Sequence, residues 1–192
     1  MQPHDPTILP ENLPVPVDDG ACRHLTGMVV PSFALMATDG TTVDLAQPWP
    51  GRTIVYAYPR TGRPGVALPT GWDAIPGARG CTPESCGFRD HHAEMAARRA
   101  RVFGLSTQTT DYQREMVERL HLLFAVLSDA DMRLTRALRL PIFAVDGMSL
   151  IRRLTLVIRD GRIEHAFYPV FPPDRHAADV VAWLDTHPLG NA

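Results

Sequence analysis

Two thiols five residues apart carry the densest chemical potential in this chain: Cys81-Thr82-Pro83-Glu84-Ser85-Cys86, followed by Gly87-Phe88-Arg89-Asp90. Pro is favoured in the first turn of a helix, where its missing N–H costs nothing, and Thr82 can cap the free donors just before it. The reading predicts Cys81 at a helix N-terminus. Unpaired N–H groups and the positive end of the helix dipole there lower a thiol pKa from about 8.5 toward neutrality. An ionised sulfur is a nucleophile. The spacing to Cys86 is not that of a redox CxxC pair. Five residues of helix advance about 7.5 Å and turn about 140°, so the Cα atoms stand roughly 8.6 Å apart. A disulfide needs less than about 7 Å. Joining Cys81 to Cys86 therefore requires the first turns of this helix to unwind.

The elements that must position this motif are legible from periodicity. Residues 1 to 25 are rich in Pro and acidic residues and read as an extended arm. The domain proper is expected over 26–188. Ser32 to Met36 and Thr42 to Leu45, around Thr38-Asp39-Gly40, resemble a hairpin, and Thr53 to Tyr58 a short apolar strand stopped by Pro59. A Gly- and Pro-rich stretch over 60–80 is too long for an ordinary connection and reads as a functional or interface loop. From Pro83 to about Arg99, Phe88, His92, Met95 and Ala96 recur at helical spacing. Val102 to Thr107 and Phe124 to Leu127 read as strands. Asp111 to Leu120 reads as a helix with Tyr112, Met116 and Leu120 on one face, and Asp131 to Leu138 as a short helix capped by Asp129 or Asp131. Leu154 to Ile158 and Arg162 to Phe167, joined by Asp160-Gly161, form a hairpin. Asp174 begins a helix with Ala177, Val180, Val181 and Leu184 inward. This order predicts an α/β fold, a mixed central sheet with helices on both faces.

Composition narrows the function classes. The chain has 192 residues and a formal net charge of −2, and all of its basic side chains are Arg. No basic patch points to nucleic acid or to a membrane surface. Three cysteines do not make a disulfide framework, and an odd count leaves a thiol free, so a reducing, cytoplasmic setting is expected. Cys22 lies in the arm, where a mobile thiol could serve as an alternative resolving partner. His91 and His92 suggest zinc, but ten residues of helix from Cys81 span about 15 Å, against metal bonds of about 2.0 to 2.3 Å. No metal or organic cofactor is expected.

The motif resembles the active-site helix of peroxiredoxins of the bacterioferritin comigratory protein type, also called PrxQ. The likeness extends through Phe103-Gly104-Leu105-Ser106-Thr107, Leu127-Ser128-Asp129 and Arg153-Leu154-Thr155-Leu156-Val157-Ile158-Arg159-Asp160-Gly161-Arg162-Ile163-Glu164-His165. The resemblance implies a thioredoxin-like fold with an N-terminal hairpin and a thiol peroxidase in which Cys81 attacks the peroxide O–O bond. The resulting sulfenic acid would condense with Cys86 as resolving thiol. Arg153 would stabilise the thiolate and the leaving oxygen, and Glu84 would orient Arg153. Strand alternation sends Arg152 and Arg153 to opposite faces, so only one can serve. The resemblance further implies a hydroperoxide substrate, regeneration by thioredoxin or a similar dithiol, and a monomer or homodimer. A one-cysteine peroxidase using an external thiol and a non-enzymatic redox sensor are the rival readings. One departure is that the family's Thr, three residues before the nucleophile, is replaced by Ala78. Pro59 matches the family's shielding Pro, but the loop over 60–80 stands between it and Cys81 as an insertion. Thr61 is the nearest hydroxyl that could fold back to hold the peroxide.

Overall fold

In the computed structural model, which describes residues 8–190, the strand stopped by Pro59 is β3 (Arg52–Ala57), buried along its whole length. Its side chains alternate between two cores. Val55 and Ala57 enter one apolar cluster, while Ile54, Tyr56 and the following Tyr58 enter the other. Burial on both faces is what a strand inside a parallel sheet requires.

In chain order the elements are β1 (Leu35–Ala37), β2 (Thr42–Val43), β3, α1 (Cys81–Asp90), α2 (His92–Ala97), β4 (Ala100–Ser106), α3 (Thr110–Leu120), β5 (Val126–Ser128), α4 (Arg133–Ala137), β6 (Ile142–Val145), β7 (Met148–Ile151), β8 (Leu154–Arg159), β9 (Arg162–Phe167) and α5 (His176–Thr186). Seven strands form one sheet in the order β2-β1-β5-β4-β3-β8-β9. The strands β3, β4 and β5 run parallel, and β1, β8 and β9 pair antiparallel to their neighbours. Phe88 of α1, Met95 of α2, Met116 and Leu120 of α3, and Val180 and Leu184 of α5 cover one face. The other face is covered by Leu134 of α4, by Leu138, and by residues ahead of β1. Helices thus lie on both faces of a mixed sheet.

Several expectations are corrected. The helix read as continuous from Pro83 to Arg99 breaks at His91, whose φ and ψ are −94° and 7°. Ala96 faces solvent. On α3 the inward face is Gln113, Met116 and Leu120, with Tyr112 only half-buried, so a polar residue occupies an interior position that periodicity assigned to an aromatic one. Residues 8–25 form no helix or strand, and only their end is packed, at Cys22 and Leu25. Cys22 and Leu25 belong to the core on the α4 side of the sheet, so Cys22 is not a mobile thiol. Burial, reinforced by Asp19 and Asp18, pushes its pKa up to about 12.

The segment over 60–80 builds a small core of its own. Trp72, in a single 3-10 turn, packs with Ala78 and with Leu150 of β7, flanked by Ile75, Phe143 and Met148. The other half of this core is the β6–β7 hairpin, which periodicity overlooked. Its turn residues Asp146 and Gly147 both have positive φ (46° and 73°), as a two-residue hairpin turn requires. Asp146 Oδ2 accepts the Thr70 N–H at 2.9 Å and ties the hairpin to the inserted segment. Among the described residues no helix is long and apolar enough to cross a membrane.

Candidate active site

Helix α1 starts at Cys81, as its sequence suggests, but through a different device. Gly80, with φ of 97°, is the N-cap and makes no side-chain cap, while Thr82 is already inside the helix and buried. A Cβ on Gly80 would fall 2.2 Å from Pro173 Cγ and 3.0 Å from Leu9 Cδ1, so only glycine fits this approach. Further along, Phe88 stacks on Tyr56 with ring centroids 4.2 Å apart, and Ser85 Oγ donates to the Cys81 carbonyl at 2.9 Å. The start of the helix is held on several sides.

Cys81 is 3% exposed and belongs to the apolar cluster that contains Tyr56, Tyr58 and Phe88. Arg153 Nη2 lies 3.1 Å from its sulfur, and the sulfur in turn points at the Ala78 carbonyl at 3.6 Å. Arg153 enters from the turn between β7 and β8, and each of its three nitrogens has a partner. Nη1 bonds Glu84 Oε2 in a fully buried ion pair, Nε donates to the Gly77 carbonyl at 3.3 Å, and Nη2 donates to the Arg79 carbonyl at 3.0 Å. The carbonyls of Gly77 and Arg79 belong to the inserted segment, which therefore cages the guanidinium. Arg152 points outward toward the Ile142 carbonyl, so the choice between the two arginines falls on Arg153.

Burial is the largest influence on each ionisable group here. It raises the Cys81 thiol above its ordinary value, with Arg153 pulling the other way and Glu84 adding to the rise. Burial thus works against the ionisation that a helix start and Arg153 favour. Burial likewise pushes Glu84 up to about 7, against the pull of Arg153. Its Oε1 has no hydrogen-bond partner. A sulfur and a carboxyl thus compete for one guanidinium, and the three groups titrate as a unit. Protonation of Glu84 leaves the Arg153 charge to the thiolate.

Cys86 is half-buried on the same helix, and Cys22, Cys81 and Cys86 are all free thiols. Burial also raises the Cys86 thiol, with Arg89 opposing. Because α1 is regular from Cys81 to Asp90, Cys81 and Cys86 stand at the separation that a helix imposes. Thr61 is 1% exposed, and its hydroxyl donates to Gln108 Oε1 at 3.2 Å rather than to the sulfur. Pro59 is buried, with its carbonyl accepting from Ser106 Oγ at 3.2 Å. Ala78, the family's Thr position, sits in the Trp72 cluster, so a hydroxyl there would enter an apolar core. A cleft of about 430 Å³ opens on the far side of residue 60, walled by Arg60, Gln108, Tyr112, Met132, Met148 and Leu150 among others. Cys81 is not among its walls. Sequence reasoning missed Gln108, whose side-chain amide pairs with the Thr61 main chain.

The Redoxin family model matches residues 25–182. Peroxiredoxin Bcp of Escherichia coli strain K12 is 30% identical over 170 residues, 84% of this chain and 96% of that protein. The crystal structure of peroxidoxin BcpB from Mycobacterium tuberculosis superposes with a TM-score of 0.67 at 27% identity, covering 85% of this chain and 98% of the other. A PrxQ mutant structure from Xylella fastidiosa shares the fold, with a TM-score of 0.69 at 22% identity over 85% of this chain and 98% of that one. Taken with a buried cysteine at the start of α1 and an arginine fork on its sulfur, these likenesses show that the chain belongs to the Redoxin family, as a peroxiredoxin of the Bcp and PrxQ kind.

Proposed function

We propose that Cys81 is the peroxidatic residue of a thiol peroxidase acting on hydrogen peroxide and organic hydroperoxides. The observation that carries this is the Cys81 sulfur held 3.1 Å from a buried guanidinium that Glu84 and the Gly77 and Arg79 carbonyls hold in place. In the first step the Cys81 thiolate attacks one peroxide oxygen. The S–O bond forms, the O–O bond breaks, and the other oxygen leaves as alkoxide or hydroxide and takes up a proton. Arg153 faces the place where that negative charge develops, and Glu84 holds Arg153 there. Pro59 shields the sulfur. Thr61, whose hydroxyl proton is committed to Gln108, keeps its oxygen lone pairs for the O–H of the peroxide.

In the second step the Cys86 thiol attacks the sulfenic sulfur, forming the disulfide and releasing water. A regular α1 cannot bring the two sulfurs together, so this step follows local unwinding of its first turns. Thioredoxin or a similar dithiol then reduces the bridge by thiol exchange. A reducing compartment supplies such a donor.

Treatment of the reduced protein with one equivalent of peroxide, followed by mass-spectrometric mapping, tests the scheme. A Cys81–Cys86 disulfide is expected, and Cys86→Ala is expected to abolish thioredoxin-supported turnover. A stable Cys81 sulfenate with undiminished turnover by Cys86→Ala would make this a one-cysteine enzyme. A Cys81 that reacts no faster than a free thiol would remove the peroxidase reading.

A further inference from the structure

We infer that Ser85 is a positioning residue for the nucleophile: its hydroxyl, backed by Tyr56, holds the Cys81 carbonyl and keeps the first turn of α1 wound against the step that joins Cys81 to Cys86. The inference rests on the assignment of Cys81 and Cys86 as the reacting pair.

Two bonds make the latch. Tyr56 Oη donates to Ser85 Oγ at 3.1 Å, and Ser85 Oγ donates to the Cys81 carbonyl at 2.9 Å. The one hydroxyl proton of Ser85 is committed to that carbonyl, so Tyr56 meets its lone pair. On an exposed helix a hydroxyl bonded four residues back adds little, because water serves it equally well. Here both hydroxyls belong to fully buried residues. If the Cys81 carbonyl leaves, the nearby alternative for the Ser85 proton is the Met116 thioether at 4.0 Å, a weak acceptor. A buried donor that loses its acceptor is costly, so the bond resists unwinding.

The anchor of this latch is built into the sheet. Tyr56 lies on β3, and its register partner on β4 is Gly104, where a Cβ would fall 3.0 Å from Tyr56 Oη and 3.1 Å from its Cζ. The missing side chain leaves the space that the phenol occupies. Phe88 stacks on the ring at 4.2 Å, and Phe124 meets it edge-on at 5.8 Å. Cys81, Ser85 and Phe88 stand at i, i+4 and i+7 of α1, so they share the face that meets Tyr56. Phe88 holds the ring, and Ser85 takes its hydroxyl. Unwinding the first turn carries the Cys81 carbonyl away from Ser85, while Phe88, two turns further on, keeps its stack. The latch therefore opposes that movement and leaves the rest of the helix in place.

Two measurements on Ser85→Ala test the latch. The first needs no peroxide: hydrogen exchange of the amides at positions 84 to 86 in the reduced protein, with amides of β3 as the gauge of global unfolding. Exchange at 84 to 86 is expected to quicken about fivefold beyond any change in β3, the factor that one net hydrogen bond represents. The second is the fate of Cys81 under excess hydrogen peroxide, read by mass spectrometry. A wound helix leaves the sulfenic acid to a second peroxide, whose O–O bond breaks as the sulfur gains another oxygen and water departs, giving sulfinic acid. An unwound helix lets Cys86 reach it first. The ratio of sulfinic acid to disulfide is expected to fall about fivefold in Ser85→Ala. Exchange at 84 to 86 that follows β3 alone overturns the inference, and so does an unchanged ratio in a protein that forms the disulfide. Should Ser85→Ala not fold, the pair Tyr56→Phe with Ser85→Ala, which removes both hydroxyls together, decides by the same two readings. A parent that forms no disulfide, with quickened exchange in the variant, would remove the two-cysteine reading and keep the latch. A disulfide in the parent with unquickened exchange would do the reverse.

Discussion

At the site, Cys81 and Glu84 share one positive group, and that shared dependence sets the behaviour of both. Burial raises each of them, Arg153 lowers each of them, and the Glu84 charge adds to the rise of Cys81. Glu84→Gln keeps an acceptor for the Arg153 donor while removing a buried negative charge. The expected result is a Cys81 alkylation profile displaced to lower pH and a peroxide reaction no longer held back as Glu84 ionises near pH 7. An unmoved profile would mean that the carboxyl does not compete for the guanidinium. The residues that do this chemistry are legible from sequence, because a thiol before Pro at a helix start and an Arg at a strand entrance are visible as types and spacings. What surrounds them is not. Gln108 and Gln113 read as ordinary polar residues until burial gives them partners.

Among the elements, the inserted segment changes meaning between sequence and structure. In sequence it is an interruption of the active-site stretch. In the fold it is a wedge with its own core, and its last residues supply the carbonyls that hold Arg153. Trp72 is 4% exposed, and its ring lies 6.0 Å from that of Phe143. Trp72→Ala should cost about 3 to 5 kcal/mol of stability, the usual effect of emptying an aromatic site. Because the same cluster contains Ala78, it should also slow the reaction of Cys81 with peroxide, measured under single-turnover conditions. A variant less stable but equally fast would separate the wedge from the site. The β6–β7 hairpin that completes this core was readable in principle, since Asp146-Gly147 between apolar runs is a turn signal of the same kind as Asp160-Gly161. Its short strands pair only with each other, so they add nothing to the alternation that identified the main sheet.

Over the whole molecule, two buried groups pull stability in opposite directions with pH. His176 is 3% exposed, bonds Thr155 Oγ1 at 2.8 Å, and is held by burial at a pKa of about 3, below its ordinary 6.5. The unfolded chain therefore binds the proton more readily, and stability contributed by neutral His176 is lost as pH falls from 6.5 toward 3. Glu84, raised from 4.5 to about 7, has the opposite sign: its contribution is complete below 4.5 and is lost as pH rises through 7. Chemical denaturation across this range should give a maximum between the two limbs, each on the order of a few kcal/mol. His176→Asn should flatten the acid limb and leave the other. The alternating strands and the helices on both faces were legible because burial on two sides demands apolar periodicity. The packing of Cys22 and Leu25 was not, since irregular backbone carries no period. That packing sets one more consequence. The sheet separates Cys22 from Cys81 and Cys86, so a bridge between Cys22 and either of them requires the sheet to come apart. Such a bridge, recovered from a stressed sample, is a record of molecules that had unfolded rather than of molecules at work, and its abundance dates the damage independently of turnover.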